Sequence, residues 1–313
     1  MPKSKRQKIK LMDNIIFGPI PSRRFGMSLG IDLSPSIKQC NFDCLYCELD
    51  KAKTVSKQSE IVAVADIIDA LKASLKNHKN IDVITFTANG EPTLYPYLDE
   101  LIDEVDKVKG EIKTLILSNG ANIYQKDIQK RLSKIDIVKL SLDCVSPKCF
   151  KKLDRVDESI ECSRIVPGMC EFRQLHKKQL ILETLFVKTL NDTDEEISKL
   201  YEALKSINPD RVDIGTIDRP PAYEVNPVSY EKLLEIADSF EGLPVTIAHK
   251  NKIVNKQTYS EDEIMGLLKR RPLTLDDIEN IFDDISKEHL EKLVKSSKIG
   301  LVDNNKVKFY KIL

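Results

Sequence analysis

Cys40, Cys44 and Cys47 stand in a C-x3-C-x2-C spacing between Lys38 and Glu48, and they offer a metal centre three thiolates from one tight loop. A four-iron cluster is ordinarily held by four thiolates, so three would leave one iron open to a small chelating molecule. A structural zinc site would instead close all four positions, with a second cysteine pair or with histidines at short spacing. No second pair of that kind exists, and His78, His176, His249 and His289 are scattered without ligand spacing. Tyr46, directly before the third cysteine, would stand beside such a cluster and could pack on a bound cofactor.

This spacing, with an aromatic residue before the last cysteine, is similar to the signature of the radical S-adenosylmethionine (SAM) superfamily. The resemblance implies a [4Fe–4S] cluster whose open iron is chelated by the amino and carboxylate groups of SAM. It implies that the reduced cluster passes one electron to the sulfonium, that a 5′-deoxyadenosyl radical abstracts hydrogen from a substrate, and that a donor of flavodoxin or ferredoxin type supplies the electron. Such chemistry belongs to the cofactor, while the protein orients and shields it.

Further candidates follow from the same resemblance. Asn89-Gly90-Glu91-Pro92 resembles the family's Gly-Gly-Glu motif, which holds the amino group of SAM, and departs from it at Asn89. An ammonium needs acceptors and glycine lets backbone approach closely, so Gly90 and Glu91 are cofactor candidates. Ser118 and Asn119 form a polar turn after a strand, and Ser141 and Asp143 share one face of the next by period two. In similar proteins such positions meet ribose hydroxyls or the methionyl carboxylate. Arg23 and Arg24 precede the first expected strand, Arg155 follows the fourth and Arg219 the sixth. At the mouth of a barrel these arginines would grip a carboxylate or phosphate of the substrate; elsewhere they would be surface ion pairs or caps.

These groups need a frame, and the chain supplies one. Runs rich in aliphatic and β-branched residues at 28–33, 82–88, 112–118, 136–143, 180–187 and 211–217 read as strands, with a short closing strand at 244–248. Stretches at 65–75, 97–108, 125–133, 195–207 and 230–240 carry apolar residues at helical spacing. Strands alternating with helices imply α/β architecture and a parallel sheet with right-handed crossovers. The family resemblance favours a partial (β/α)6 TIM-type barrel over an open doubly wound sheet. The cysteines follow the first strand directly, and α/β sites assemble at strand C-termini.

The division expected is a lysine-rich N-terminal arm at 1–14, a barrel at 15–254 and a small unit at 255–313. In the last, Ser260 to Glu263 reads as a capping box, Thr274 caps a second helix and Ser286 a third running to Lys295. A hairpin turning at Asp303-Asn304-Asn305 follows. Three helices and a two-stranded wing resemble a winged helix-turn-helix. Asp276, Asp277, Glu279, Asp283, Asp284, Glu288 and Glu291 offset its lysines, which favours contact with protein or gating of substrate over binding to duplex DNA.

Lysine plus arginine and aspartate plus glutamate both number 49, so no net field draws in nucleic acid or an anionic membrane. No apolar stretch approaches the ~20 residues of a membrane span, and the N-terminus lacks a signal-peptide core. Seven cysteines, an odd number, fit a reducing cytoplasmic setting better than a disulfide framework. Cys144, Cys149, Cys162 and Cys170 match no cluster spacing and read as ordinary thiols. The arginine-bearing segments and the tail resemble a group of radical SAM proteins allied to the tRNA wyosine-base synthases, although no cysteine precedes Cys40 to hold a second cluster. The leading expectation is a radical SAM enzyme acting on an RNA base or an anionic small molecule. The alternatives are an iron–sulfur winged-helix redox sensor and a glycyl-radical activase.

Overall fold

Strands β1 (Ile16–Ser22), β2 (Gly26–Asp32), β3 (Val83–Thr87), β4 (Lys113–Ser118), β5 (Ile137–Ser141), β6 (Gln179–Phe186), β7 (Arg211–Thr216) and β8 (Val245–Ile247) form one sheet in sequence order. The computed structural model describes residues 15–22, 24–247, 256–270, 272–304 and 307–313; the expected arm at 1–14, Arg23 and Ala248 lie outside the described residues. β1 runs antiparallel to β2, and every later pairing is parallel. Helices α1 (Val64–Asn77), α2 (Leu98–Asp106), α3 (Lys126–Leu132), α4 (Ile165–Leu175), α5 (Asp194–Ile207) and α6 (Tyr230–Ser239) connect the parallel strands. β1 is not among the expected strands, because Gly18, Pro19 and Pro21 interrupt it. An edge strand tolerates prolines, since one side of its ladder has no partner to receive an N–H.

Period-two alternation splits the strands into two faces. Leu29, Ile31, Ile84, Phe86, Ile116, Val138, Leu140, Leu180, Leu182, Val212 and Ile214 join the helices in the main apolar core. Helix boundaries follow local chemistry: Thr193 caps α5 by accepting from the Glu196 N–H, and Asn208 ends it in the left-handed region. The opposite strand face carries a small separate cluster, Val83, Leu115, Ile137 and Ile181, with Phe25 packed against it. Five strand spacings of ~4.8 Å separate β2 from β7 in a flat sheet, or ~24 Å. Arg24, just before β2, nevertheless forms an ion pair with Asp213 of β7 at 3.0 Å. The sheet therefore curls around its inner face, as a TIM-type barrel does, and encloses a lumen.

The remaining elements are α7 (Glu261–Arg270), β9 (Leu273–Thr274), α8 (Leu275–Ile281), α9 (Asp284–Lys295), β10 (Ile299–Asn304) and β11 (Val307–Ile312). Their strands form a second sheet, in the order β10-β11-β9, over a core that includes Tyr259, Leu267, Phe282, Leu290 and Phe309. Ser260 and Glu263 make the expected capping contacts, and Thr274 forms a capping box with Asp277. The third cap differs from expectation: Asp283 caps α9, accepting from the Ser286 N–H. Ser286 lies one turn inside and fully buried, where its hydroxyl donates to the Gln257 carbonyl and accepts from the Tyr259 N–H. Ile20 of β1 packs into this second core and the Tyr259 hydroxyl donates to the Pro19 carbonyl, so the edge strand is covered. Among the described residues, no helix is long and apolar enough to cross a membrane.

Candidate functional site

The cysteine loop leaves the C-terminal end of β2 and is tied down by backbone on both sides. The Gln39 N–H donates to the Asn89 carbonyl and the Glu91 N–H to the Gln39 carbonyl, each at 2.9 Å. Gly90 makes this approach possible: its φ is +133°, and a Cβ there would lie 1.9 Å from the Gln39 carbonyl oxygen. On the other side, the Asp43 and Leu45 N–H groups donate to the carbonyls of Asp154 and Leu153. From beyond β7, the Ala222 N–H donates to the Cys47 carbonyl at 2.7 Å and the Tyr223 hydroxyl to Asp43.

Cys40, Cys44 and Cys47 are free and partly buried, and N–H donors reach two of their sulfurs. The Phe42 amide lies 3.4 Å from Cys40 Sγ and Asn119 Nδ2 lies 3.7 Å from it, while Lys38 Nζ is 3.4 Å from Cys47 Sγ. Burial pushes the Cys40 thiol up to about 12, with the Glu91 charge adding to the effect. Burial also raises Cys44, ahead of the charge on Asp154, and raises Cys47 against the pull of Lys38. Such thiols stay protonated near neutrality until a cation supplies the compensating charge, as thiolate-ligated metals do. Around the loop, Asn41 Nδ2, Asp43 Oδ1 and Asp154 Oδ1 are buried with no hydrogen-bond partner among the described residues. Clustered thiols, N–H donors aimed at sulfur and orphaned polar atoms fit a loop that holds an inorganic cluster.

Beside the cysteines lies a concavity lined by Phe42, Tyr46, Asn119, Ser141, Asp143, Phe150, Asp154 and Ile165. It opens at the C-terminal ends of β4 and β5, so Tyr46, Asn119, Ser141 and Asp143 come together as the sequence places them. Asp143 accepts from the Tyr46 hydroxyl and, at 2.6 Å, from the Leu185 N–H; burial raises it to about 7. Gly90, Glu91 and Ser118 lie beneath this wall and brace it. The buried Glu91 carboxylate accepts from the Thr93 amide and hydroxyl, the Ser118 hydroxyl and the Asn119 N–H, at 2.6 to 3.0 Å. Its hydrogen-bonding is thus largely committed to the protein, and it sets the position of Asn119.

The arginines separate. Arg155 pairs with Asp43 at 3.2 Å and lies over the Tyr223 ring, and Arg219 pairs with Glu48 at 3.3 Å, so both border the cysteine loop. Arg24 does not: it enters from the N-terminal end of β2, opposite the mouth expected for it, because β1 turns back into β2 there. Arg23 lies outside the described residues. Cys144 and Cys149, read as thiols, are joined by a disulfide, since the turn after β5 brings their Cα atoms within 5.4 Å; Cys162 and Cys170 are free. Asp154, Phe42 and Lys38 were missed, and no periodicity announces them. Lys139, Glu183 and Asp213 were missed too, although a charge inside an aliphatic parallel-strand run is itself a signal.

The comparisons agree with this geometry. A family model described as the radical SAM superfamily matches residues 34–204. A UPF0026 protein of Helicobacter pylori (strain ATCC 700392 / 26695) is 42% identical over 299 residues, covering 95% of this chain and 97% of that protein. A GTP 3′,8-cyclase of Chlorobaculum tepidum is 27% identical over 172 residues, covering 55% of this chain and 49% of that protein. Among solved structures, Streptococcus suis SuiB superposes with a TM-score of 0.55 at 19% identity, covering 79% of this chain and 53% of that one, a likeness of fold. The match spans more than half of the chain and takes in the cysteine loop and the strand ends that face it, and on that ground the chain belongs to the radical SAM superfamily, whose members bind a [4Fe–4S] cluster and S-adenosylmethionine.

Proposed function

We propose that this protein is an enzyme that reductively cleaves SAM at a [4Fe–4S] cluster held by Cys40, Cys44 and Cys47. When bound, the cluster supplies one electron to the sulfonium, and the 5′-deoxyadenosyl radical released acts on a substrate held in the barrel lumen. The concavity lined by Tyr46, Asn119, Ser141 and Asp143, lying beside the loop of three free cysteines, carries this reading. Glu91 sets Asn119, Tyr46 is fixed by Asp143, and Phe42, Phe150 and Ile165 exclude water from a site where a radical must not meet solvent. The substrate classes this reading admits are an RNA base and an anionic small molecule, and a flavodoxin- or ferredoxin-type protein serves as donor.

The test is anaerobic reconstitution with iron and sulfide, then reduction by dithionite with SAM present, assayed for 5′-deoxyadenosine. Product that depends on protein and reductant is the expected result. A fully loaded cluster that yields none, with or without candidate substrates, would overturn the reading.

We also infer that the C-terminal elements are a winged-helix-like unit with a contact role. The order α7, β9, α8, α9, then the β10–β11 hairpin supports this, with the hairpin as the wing. Acidic residues on α8 and α9 disfavour a phosphate-binding face. Binding of the protein to a duplex DNA fragment with a steep salt dependence would count against the contact role.

A further inference from the structure

The three cysteine sulfurs do not share one electrostatic environment. Cys40 Sγ faces neutral donors, the Phe42 amide at 3.4 Å and Asn119 Nδ2 at 3.7 Å. Cys44 has the buried Asp154 and Asp143 carboxyls among its charged neighbours. Cys47 Sγ is the one with a cation at hydrogen-bond range among the described residues: Lys38 Nζ stands 3.4 Å away. The ammonium is held there from two sides. It donates to the Asp50 carbonyl at 2.8 Å, and the next residue in the chain, Gln39, is buried and fastened by its side chain to Ser34, Ser59 and Glu60. The carboxylates that could draw Lys38 away have cations of their own: Glu48 pairs with Arg219 at 3.3 Å and Asp50 with Lys311 at 3.6 Å. Among the described residues no carboxylate lies within ion-pair distance of Lys38, which leaves a carbonyl and the Cys47 sulfur as its acceptors.

Hydrogen bonds to ligating sulfur and positive charge beside a cluster both favour its reduced state, because reduction adds one negative charge that they stabilise. A charged donor does this more strongly than a neutral amide. We propose that Lys38 acts through Cys47 as a positioning residue that raises the reduction potential of the cluster, and so eases the one-electron reduction that precedes SAM cleavage. The electron comes from the donor protein, or from dithionite in vitro, and no bond is made or broken in the step. This deepens the reading of the protein as a radical SAM enzyme and rests on it. Outer-shell groups of this kind orient ligands and tune a metal centre without binding it.

The experiment is a redox titration of the reconstituted full-length protein with dithionite, without SAM, followed by the electron paramagnetic resonance signal of the reduced cluster at matched iron and sulfide content. Lys38→Met should make reduction about tenfold less favourable or more, which for one electron is a midpoint lower by about 59 mV or more. Lys38→Arg, which keeps the charge, should stay nearest the wild type, and Lys38→Gln, which keeps an N–H donor alone, should fall between. A purely structural contact would lower cluster loading and leave the midpoint of the loaded protein where it was. An unshifted midpoint in Lys38→Met, or equal shifts in all three variants, overturns the inference. Failure of both Lys38→Met and Lys38→Gln to hold a cluster also overturns it, since Lys38 would then be a tie of the loop. The wild type is assayed in parallel for 5′-deoxyadenosine on reduction with SAM. Product together with an unshifted Lys38→Met midpoint defeats this inference alone, whereas absence of product from the loaded wild type defeats the functional reading.

Discussion

Arg24 Nη1 lies 3.0 Å from Asp213 Oδ2, although Arg24 precedes β2 and Asp213 stands in β7. The pair bridges the inner face of the sheet at the level of Glu183 and Ser141, with which Asp213 is in register, and Arg211 and Lys139 share the same carboxylate. Asp213→Ala would leave Arg211 without its carboxylate and Arg24 and Lys139 with Glu183 alone, around a buried void. Breaking a buried pair from one side costs about 3–5 kcal/mol. Urea unfolding should show a loss of that order, and a loss under about 1 kcal/mol would mean the network is not a structural tie.

Cys44→Ala should abolish assembly of a four-iron cluster, because two thiolates rarely retain one against exchange. Iron and acid-labile sulfide per protein, with the electron paramagnetic resonance signal of the reduced state, give the answer. A full four-iron complement in the variant would remove Cys44 from the ligand set.

Gly90 and Gly110 both have positive φ, but their surroundings differ. At Gly90 a Cβ would strike the Gln39 backbone, whereas at Gly110 nothing lies within 4 Å. Gly110→Ala should cost only the left-handed backbone penalty, about 1–2 kcal/mol. Gly90→Ala should cost more and should also lower cluster loading, since Gln39 leads into Cys40. Equal effects on iron content would show that the close contact does not govern the loop.

Glu91→Ala removes the acceptor for four hydrogen bonds and leaves Ser118 and the Asn119 N–H unpaired in a buried place. At about 1–3 kcal/mol for each buried group left unsatisfied, a loss of roughly 3 kcal/mol is expected. Affinity for SAM should fall as Asn119 loses its position, measured by dialysis on the reconstituted protein. Unchanged SAM affinity with lowered stability would confine Glu91 to a structural role.

His176 is buried, stacks on Phe172 at 5.0 Å between ring centroids, and places Nε2 3.3 Å from the Gln179 carbonyl; Nδ1 has no partner among the described residues. Burial lowers its pKa below the ordinary value of 6.5. Below about pH 6.5 the unfolded chain binds a proton that the folded protein refuses, so stability is lost as pH falls through that value. His176→Phe keeps the stack and should flatten this limb when urea midpoints at pH 7.5 and 5.5 are compared. An identical acid loss in the variant would assign the effect to other groups.

The parallel strands and most helices were legible because each is a local pattern. Strand β4 alternates faces within Lys113–Ser118, and Thr193 caps α5 within its own turn. β1 was hidden because its prolines and glycine read as loop, and only its edge position makes them acceptable. Asp283 displaced Ser286 as a cap because Ser286 found a buried partner in Gln257, which no local rule foresees. Tyr46 could be named from its place before Cys47, and Asn119, Ser141 and Asp143 from strand-end position and the family resemblance. The commitment of Glu91 to Thr93, Ser118 and Asn119 could not.

By itself the sequence determined the cysteine spacing and the order of the frame, since C-x3-C-x2-C spacing, strand period and caps act between residues close in the chain. Tertiary structure alone decided which cations stay available. Arg24, Lys139, Glu183 and Asp213 lie on four separate strands or turns, and the curl of the sheet turned the cations onto the two carboxylates. Charge pairing depends on distance in space, and a closing sheet sets that distance only once every strand is in register.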